Sequence, residues 1–290
     1  MNSFFLIDKE AGISSFKVIS SLRKILGIRK IGHSGTLDPF ATGLLICATG
    51  QYSRLLKYAL SQDKVYEVEL LLGSKSSTGD PEGEIIEETE LPESLSIPAN
   101  LETKVRALQE LPIPRYSAVK IAGKRAYSLA RQGIEVDMPM REVKILDFEL
   151  LSGIEDKRLC YRAKVSKGTY IRALSEYIAG ELGCVGMTTQ LRRSAIADIS
   201  VDEACIVEDL AKDIHSKTFD VHRILHYLPA IELSESQSKS FLHGMRLPTD
   251  AADAPDTAIY SANGLFLGIA KVESLEIIPQ LVMDGGKTCA

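Results

Sequence analysis

The five histidines of this 290-residue chain form no HExxH motif, and the one pair at HxxxH spacing, His222 and His226, lacks the glutamate of a zinc-enzyme helix, so a histidine-ligated metal enzyme is not indicated. Five cysteines, Cys47, Cys160, Cys184, Cys205 and Cys289, are odd in number, scattered and without a CxxC pair. Neither a disulfide framework nor a zinc site follows, and reduced thiols are expected. The glycine-rich stretch at 32–43 has neither GK[ST] nor GxGxxG spacing, so it does not read as a phosphate loop, and no cofactor fingerprint is visible. No Ser/His/Asp set can be assembled from spacing. No run of 18 apolar residues occurs, and the apolar patch in MNSFFLIDKEAGISS is broken by Asp8, Lys9 and Glu10. Neither a membrane span nor a signal peptide is therefore expected, and the protein is placed in the cytoplasm. Internal repeats and low-complexity tails are also missing. What remains, 45% hydrophobic and 25% charged residues with 6% aromatics, is the balance of a globular protein with one large domain or a large domain and a small companion.

The net charge of −5 argues against a partner held by global electrostatics, but the charge is unevenly placed. Residues 11–37, 111–134 and 161–193 carry a combined +14, against −19 over the rest. Brought together, they make a basic face suited to a polyanion such as RNA, bound through salt-sensitive phosphate contacts. Scattered, they are ordinary solvated surface.

Periodicity predicts a strand at 4–7 and a helix from Ser14 or Ser15 to about Leu26, with Val18, Ile19, Leu22, Ile25 and Leu26 on one face. A strand at 44–47, a helix at 53–59 and a strand at 66–72 follow. Residues 74–98 are polar, acidic and turn-rich, which predicts a surface excursion. Helices are expected at 99–110, 125–132, 170–182, 202–212 and 220–227, with strands near 143–151 and 159–166. The mixed order favours an α+β protein around a mixed, mostly antiparallel sheet. The pattern changes at Leu228-Pro229. Residues 1–229 read as a catalytic domain, and 230–290 as a small β-rich domain with a helix at 234–244 and a hairpin at Asn263-Gly264. No repeated apolar helix face stands out, which favours a monomer.

Three segments carry candidate chemistry. Gly32-His33-Ser34-Gly35-Thr36-Leu37-Asp38-Pro39, continued by Ala41-Thr42-Gly43, describes a tight loop presenting one carboxylate; a purely structural Asp-Pro turn is the alternative. Ser166-Lys167-Gly168-Thr169-Tyr170-Ile171-Arg172 lies where a strand gives way to a helix, and Arg172 is suited to hold an isolated carboxylate ionised and aimed, or is simply a helix-end arginine. Tyr170 there is equally a packing aromatic. Pro112 to Lys120 joins a rigid turn to basic residues that contact phosphates or merely cross the surface.

The order and content of GHSGTLDPFATGLL, KVYEVELLLG, PRYSAVKIAGKRAYSLARQG, SKGTYIRAL and TTQLRR resemble the bacterial TruB-type tRNA pseudouridine synthases over about residues 4–229. That resemblance implies isomerisation of uridine 55 in the T arm of tRNA to pseudouridine, with no metal or organic cofactor and no obligatory protein partner. Asp38 would be the nucleophile, attacking C1′ of the ribose or the uracil ring, or the base of a glycal route. Arg172 would pair with it. Tyr66 would stack on the uracil and is a candidate to take the C5 proton; Tyr170 and Leu191 would complete the pocket, and His33 would brace the space left by the flipped nucleotide. Lys17, Lys120, Lys167 and Arg192 become phosphate contacts. The last 60 residues match least: a PUA-like module gripping RNA and a structural cap are the two expectations for them. A guide-RNA-dependent relative sharing the GHSGTLDP loop is the near rival, and an RNA-folding protein the distant one. Two departures fall outside the catalytic positions: Ser76-Ser77-Thr78 replaces the usual Thr-Asp-Thr, and Glu10 stands where a proline often follows the lysine. Both imply altered loops or RNA contacts with catalysis retained.

Overall fold

The computed structural model describes residues 1–92, 95–121, 123–214 and 217–283. Cys289 and the rest of 284–290 lie outside the described residues. The remaining four cysteines are free thiols, with Cys47 buried. No helix among the described residues is long and apolar enough to cross a membrane.

The chain opens with β1 (Phe4–Lys9), α1 (Ser15–Leu26), β2 (Ile31–His33), β3 (Thr42–Thr49) and, after a short helix at Leu56–Ser61, β4 (Lys64–Leu72). Helix α1 starts where the Ser14 hydroxyl accepts the Lys17 amide at 3.1 Å, and it stops at Gly27 in the left-handed region. Val18, Ile19 and Leu22 pack under it against Phe5, Ile7 and Leu45 of the sheet.

A nine-stranded mixed sheet forms the body, its main path running Ile145–Leu150, Arg158–Val165, β4, Gly186–Ile196, β3, β1 and Thr218–Phe219. Every pairing is antiparallel except that of Gly186–Ile196 with β3. This parallel contact brings the two halves of the sheet together. It requires glycine at 43, because a Cβ there would lie 2.3 Å from the Arg193 carbonyl oxygen. Strand β4 buries Lys64, Tyr66, Val68, Leu70 and Leu72 in strict alternation, so these five share one face. The helix Ile171–Glu181 packs on that face through Ile171, Leu174 and Ile178.

A second, five-stranded sheet spans Ala230–Leu233, Ala254–Ser261, Phe266–Glu273, Glu276–Val282 and Leu247–Pro248, with a helix at Glu235–Leu242. Its Ala258, Tyr260, Phe266, Ile269 and Leu281 lie in one apolar cluster with Phe4, Leu6, Leu44 and Ile46 of the first sheet. Tyr58 donates to Asp256 at 2.6 Å across the same junction.

Several expectations shorten or shift. The helix expected at 99–110 is Leu101–Arg106, because residues 110–112 leave it to pair as a strand with Met140–Glu142. The stretch 202–212 splits into a 3-10 turn at Val201–Glu203 and a single turn at Val207–Leu210, each with its own entry. The 53–59 helix is a 3-10 turn at Gly50–Arg54 followed by Leu56–Ser61. Residues 74–98 are not wholly a surface excursion: Ser74–Ser76 pairs with Ile85–Glu88, and the turn between them buries Asp80.

Candidate active site

Residues 34–41 cross the end of the sheet as a loop held from several sides. The Ser34 amide donates to the Ile46 carbonyl at 2.8 Å, and the Ile46 amide returns to the Ser34 hydroxyl at 3.1 Å. Ser15, at the start of α1, accepts the Leu37 amide at 2.9 Å and lies 3.1 Å from the Leu37 carbonyl. Lys9 is fully buried at the end of β1, and its ammonium donates to the carbonyls of Pro39, Ile13 and Glu10 at 3.1, 2.6 and 2.9 Å. Burial pushes Lys9 down to about 8, against the raising influence of Asp38. From the far side, Arg193 donates to the Gly35 and Leu44 carbonyls at 3.2 and 2.7 Å. Gly35 itself has φ +118°, which only glycine adopts freely.

This loop delivers Asp38 to Arg172, whose Nε lies 3.0 Å from the carboxylate. Arg172 enters from the first turn of Ile171–Glu181, with its side chain 5% exposed. Its remaining nitrogens are spoken for: Nη1 lies 3.2 Å from Asp80 and donates to the Thr78 carbonyl at 2.7 Å, and Nη2 donates to the Tyr116 carbonyl at 3.0 Å. A guanidinium so fixed cannot rotate to follow its partner, so Asp38 meets a rigid cation. Asp80 is in turn held by the Thr78 hydroxyl at 2.5 Å and the Glu82 amide at 3.0 Å. Burial pushes the Asp38 carboxyl above its ordinary value near 3.8; Arg172 opposes this and the neighbouring Asp80 adds to it. Glu82, on the same turn, is raised first by burial and then by Asp80 and Asp38.

Tyr66 of β4, Leu191 of the neighbouring strand, Tyr170 and His33 line the same cleft as Asp38 and Arg172. Leu191 stands opposite Val68 in register and closes the apolar floor beside Tyr66. Tyr170 is the last residue before the helix, with the Arg141 guanidinium 5.9 Å from its ring centre. His33 accepts the Gly35 amide on Nδ1 at 3.3 Å, and burial followed by the Arg193 charge lowers its pKa. It is therefore a neutral imidazole at neutral pH. Among the described residues, no three His, Cys, Asp or Glu side chains converge as a metal-binding group.

The four expected phosphate contacts fare differently. Lys17, Lys120 and Lys167 are exposed. Arg192 instead grips Asp8 at 2.7 and 3.1 Å, so its charge is already matched. Missing from the sequence reading are Asp80, Lys9, Lys64 and Arg193. Asp80 sits in a polar, turn-rich stretch that composition marks as surface, and its only local signal is the Thr78-Gly79-Asp80 turn, where Gly79 has φ +74° against Arg172.

Residues 23–171 match the model of the TruB family pseudouridylate synthases, N-terminal domain, and residues 229–283 match the C-terminal module of pseudouridine synthase II TruB. A tRNA pseudouridine synthase B of Idiomarina loihiensis is 34% identical over 96% of this chain and 93% of its own length. Those of Streptococcus sanguinis and Mycoplasmopsis pulmonis are 36% and 37% identical, over 90% and 95% of this chain and 92% and 93% of theirs. The fold is also that of a chain in the solved structure of an H/ACA RNP bound to a substrate RNA containing 2′-deoxyuridine, at TM-score 0.70 and 19% identity, over 97% of this chain and 85% of the other. With Asp38 paired to Arg172 in the cleft and relatives of this similarity along nearly its whole length, the chain belongs to the TruB family of pseudouridylate synthases, a family of isomerases.

Proposed function

We propose that this enzyme isomerises uridine 55 in the T loop of tRNA to pseudouridine without a cofactor, with Asp38 as the nucleophile. The observation that carries the reading is the Asp38 to Arg172 pair, 3.0 Å apart, in a cleft floored by Tyr66 and Leu191. The reaction is an isomerisation: the N1 to C1′ bond breaks, a C5 to C1′ bond forms, the C5 proton leaves and N1 gains one. No redox partner is required, and one ionised carboxylate able to form and release a bond to the ribose or to the uracil ring meets the demand. Arg172 holds that carboxylate ionised and aimed against the desolvation of the site. Tyr66 stacks on the extruded uracil and is placed to receive the C5 proton, while Tyr170 and Leu191 keep the base from leaving once the glycosidic bond is cut. His33, uncharged, occupies the side of the cleft where the base departs from its loop. Extrusion of the uridine costs the RNA a few kcal/mol of stacking, recovered from contacts along the basic rim.

The test is tritium release from a T-arm stem-loop labelled at uracil C5, with purified protein and no guide RNA, metal or cofactor. Wild type is expected to release label stoichiometrically. Asp38→Asn should release none while binding the RNA within about 1 kcal/mol of wild type, because phosphate contacts supply most of the affinity. Turnover by Asp38→Asn would remove this residue from the mechanism. Release that appears only with an added guide RNA would assign the chain to the guided relatives instead.

A further inference from the structure

Two cations in the cleft take no part in the scheme above. Lys64 and Arg193 both line it, 6% and 2% exposed, from adjacent strands. Arg193 stands directly opposite Tyr66 in the register, and Lys64 lies two residues from Tyr66 on the same buried face of β4. Among the described residues neither forms an ion pair. Lys64 donates to the carbonyls of Leu60, at 2.8 Å, and Gln62; Arg193 donates to those of Gly35 and Leu44. These are neutral acceptors, and they leave two buried positive charges uncompensated. The charges also repel each other, Lys167 adds a third, and Asp63 is the opposing charge in the field of Lys64. Holding such groups together is costly unless an anion arrives to share. The adjacent Arg192 shows the contrast, since Asp8 already neutralises it.

We propose that Lys64 and Arg193 form a preformed receptor for one backbone phosphate of the RNA strand entering the cleft, next to the base stacked on Tyr66. A phosphodiester supplies one delocalised negative charge and acceptor oxygens on several sides, matching a guanidinium and an ammonium fixed on neighbouring strands. Tethered to the sheet through their carbonyl bonds, the two cations need no ordering when the RNA arrives, so the receptor also sets how deep the nucleotide enters. This assignment rests on the reading that the substrate is RNA.

The experiment uses the full-length chain and a T-arm stem-loop in which each phosphate around the target uridine is replaced in turn by an uncharged methylphosphonate. Binding is measured to Asp38→Asn, and pseudouridine formation by wild type on the unmodified RNA is followed in parallel. One methylphosphonate position is expected to weaken binding about tenfold. In Asp38→Asn combined with Lys64→Met, the same replacement should cost clearly less, about threefold, because one of the two charges that answered the phosphate is gone. Should the Lys64→Met chain fail to fold, Asp38→Asn alone decides the matter: the position-specific loss should shrink as the pH is raised from about 7 to about 9, where Lys64 gives up its proton. Losses that multiply independently, or no sensitive position, while wild type still makes pseudouridine would overturn the receptor and leave the function standing. An RNA neither bound nor converted by wild type would overturn both.

Discussion

The floor of the cleft holds Lys64, Arg172 and Arg193 below 9% exposure, whereas the sheet from Ala230 to Val282 keeps all three of its cations at the surface beside acids, as Lys239 with Glu235, Arg246 with Glu276 and Lys271 with Glu273. Between residues 230 and 283 there are seven acidic residues and three basic ones. That sheet spends its interior on apolar contacts with the first sheet, and the cleft spends its interior on charge. The cost of the buried charges in the cleft is offset by the apolar core that β4 and the helix Ile171–Glu181 build beside them, while among the described residues the C-terminal sheet carries no buried charge to offset. We propose from the acidity of residues 230–283 that this sheet serves as a structural cap, the RNA-gripping module being the alternative that binding measurements decide.

The largest effect that would break this division is in the cap. Phe266→Ala, emptying a site where both sheets meet, is expected to cost about 3–5 kcal/mol in denaturant unfolding, with kcat of the folded fraction unchanged. A mutant of wild-type stability with impaired RNA binding would make the cap a binding module after all. Next comes Arg172→Lys, which keeps the charge and loses the planar fork. Turnover should drop about a hundredfold while RNA affinity moves less than about twofold; equal losses in both would reduce Arg172 to a phosphate contact. Smaller is the pH response. Because the Asp38 carboxyl titrates above 3.8, kcat/KM should fall on acidification with its midpoint above that value, and Asp80→Asn, by removing a like charge, should move the midpoint down. A midpoint unmoved or raised would show that Asp80 acts on Asp38 only through Arg172. Smallest is Lys239→Ala on the surface of the cap, expected to leave the denaturant unfolding midpoint where wild type has it; a measurable loss would contradict the view that its exposed pair is idle.

Much of this was legible in the residues. Helix α1 is announced by Ser14 and its apolar face, and β4 by alternation, because both signals are local. The GHSGTLDP loop and Arg172 were visible as motifs, and the fold brings them within hydrogen-bonding distance. The strand Gly186–Ile196, central to the sheet, gave a weak signal because its register shifts at Thr188/Gln190 and Arg193/Ala195 interrupt the period of two. Those irregularities also conceal which of two consecutive arginines faces the cleft: a one-residue change of face separates Arg192 on Asp8 from Arg193 on the loop that carries Asp38. Asp80 escaped notice because burial of a carboxylate depends on a partner more than ninety residues away, and no local pattern reports that.

The loop carrying Asp38 is pinned by Ser15, Ser34, Lys9 and Arg193 to three strands and a helix. A loop so braced has little freedom to reshape itself, so under the proposed reaction the deformation is expected to fall on the RNA. Under the proposed reaction, selection among RNAs is expected to follow mechanics: a loop whose uridine swings out at little cost should be converted quickly, and a stiff loop of identical sequence around the target should be passed over.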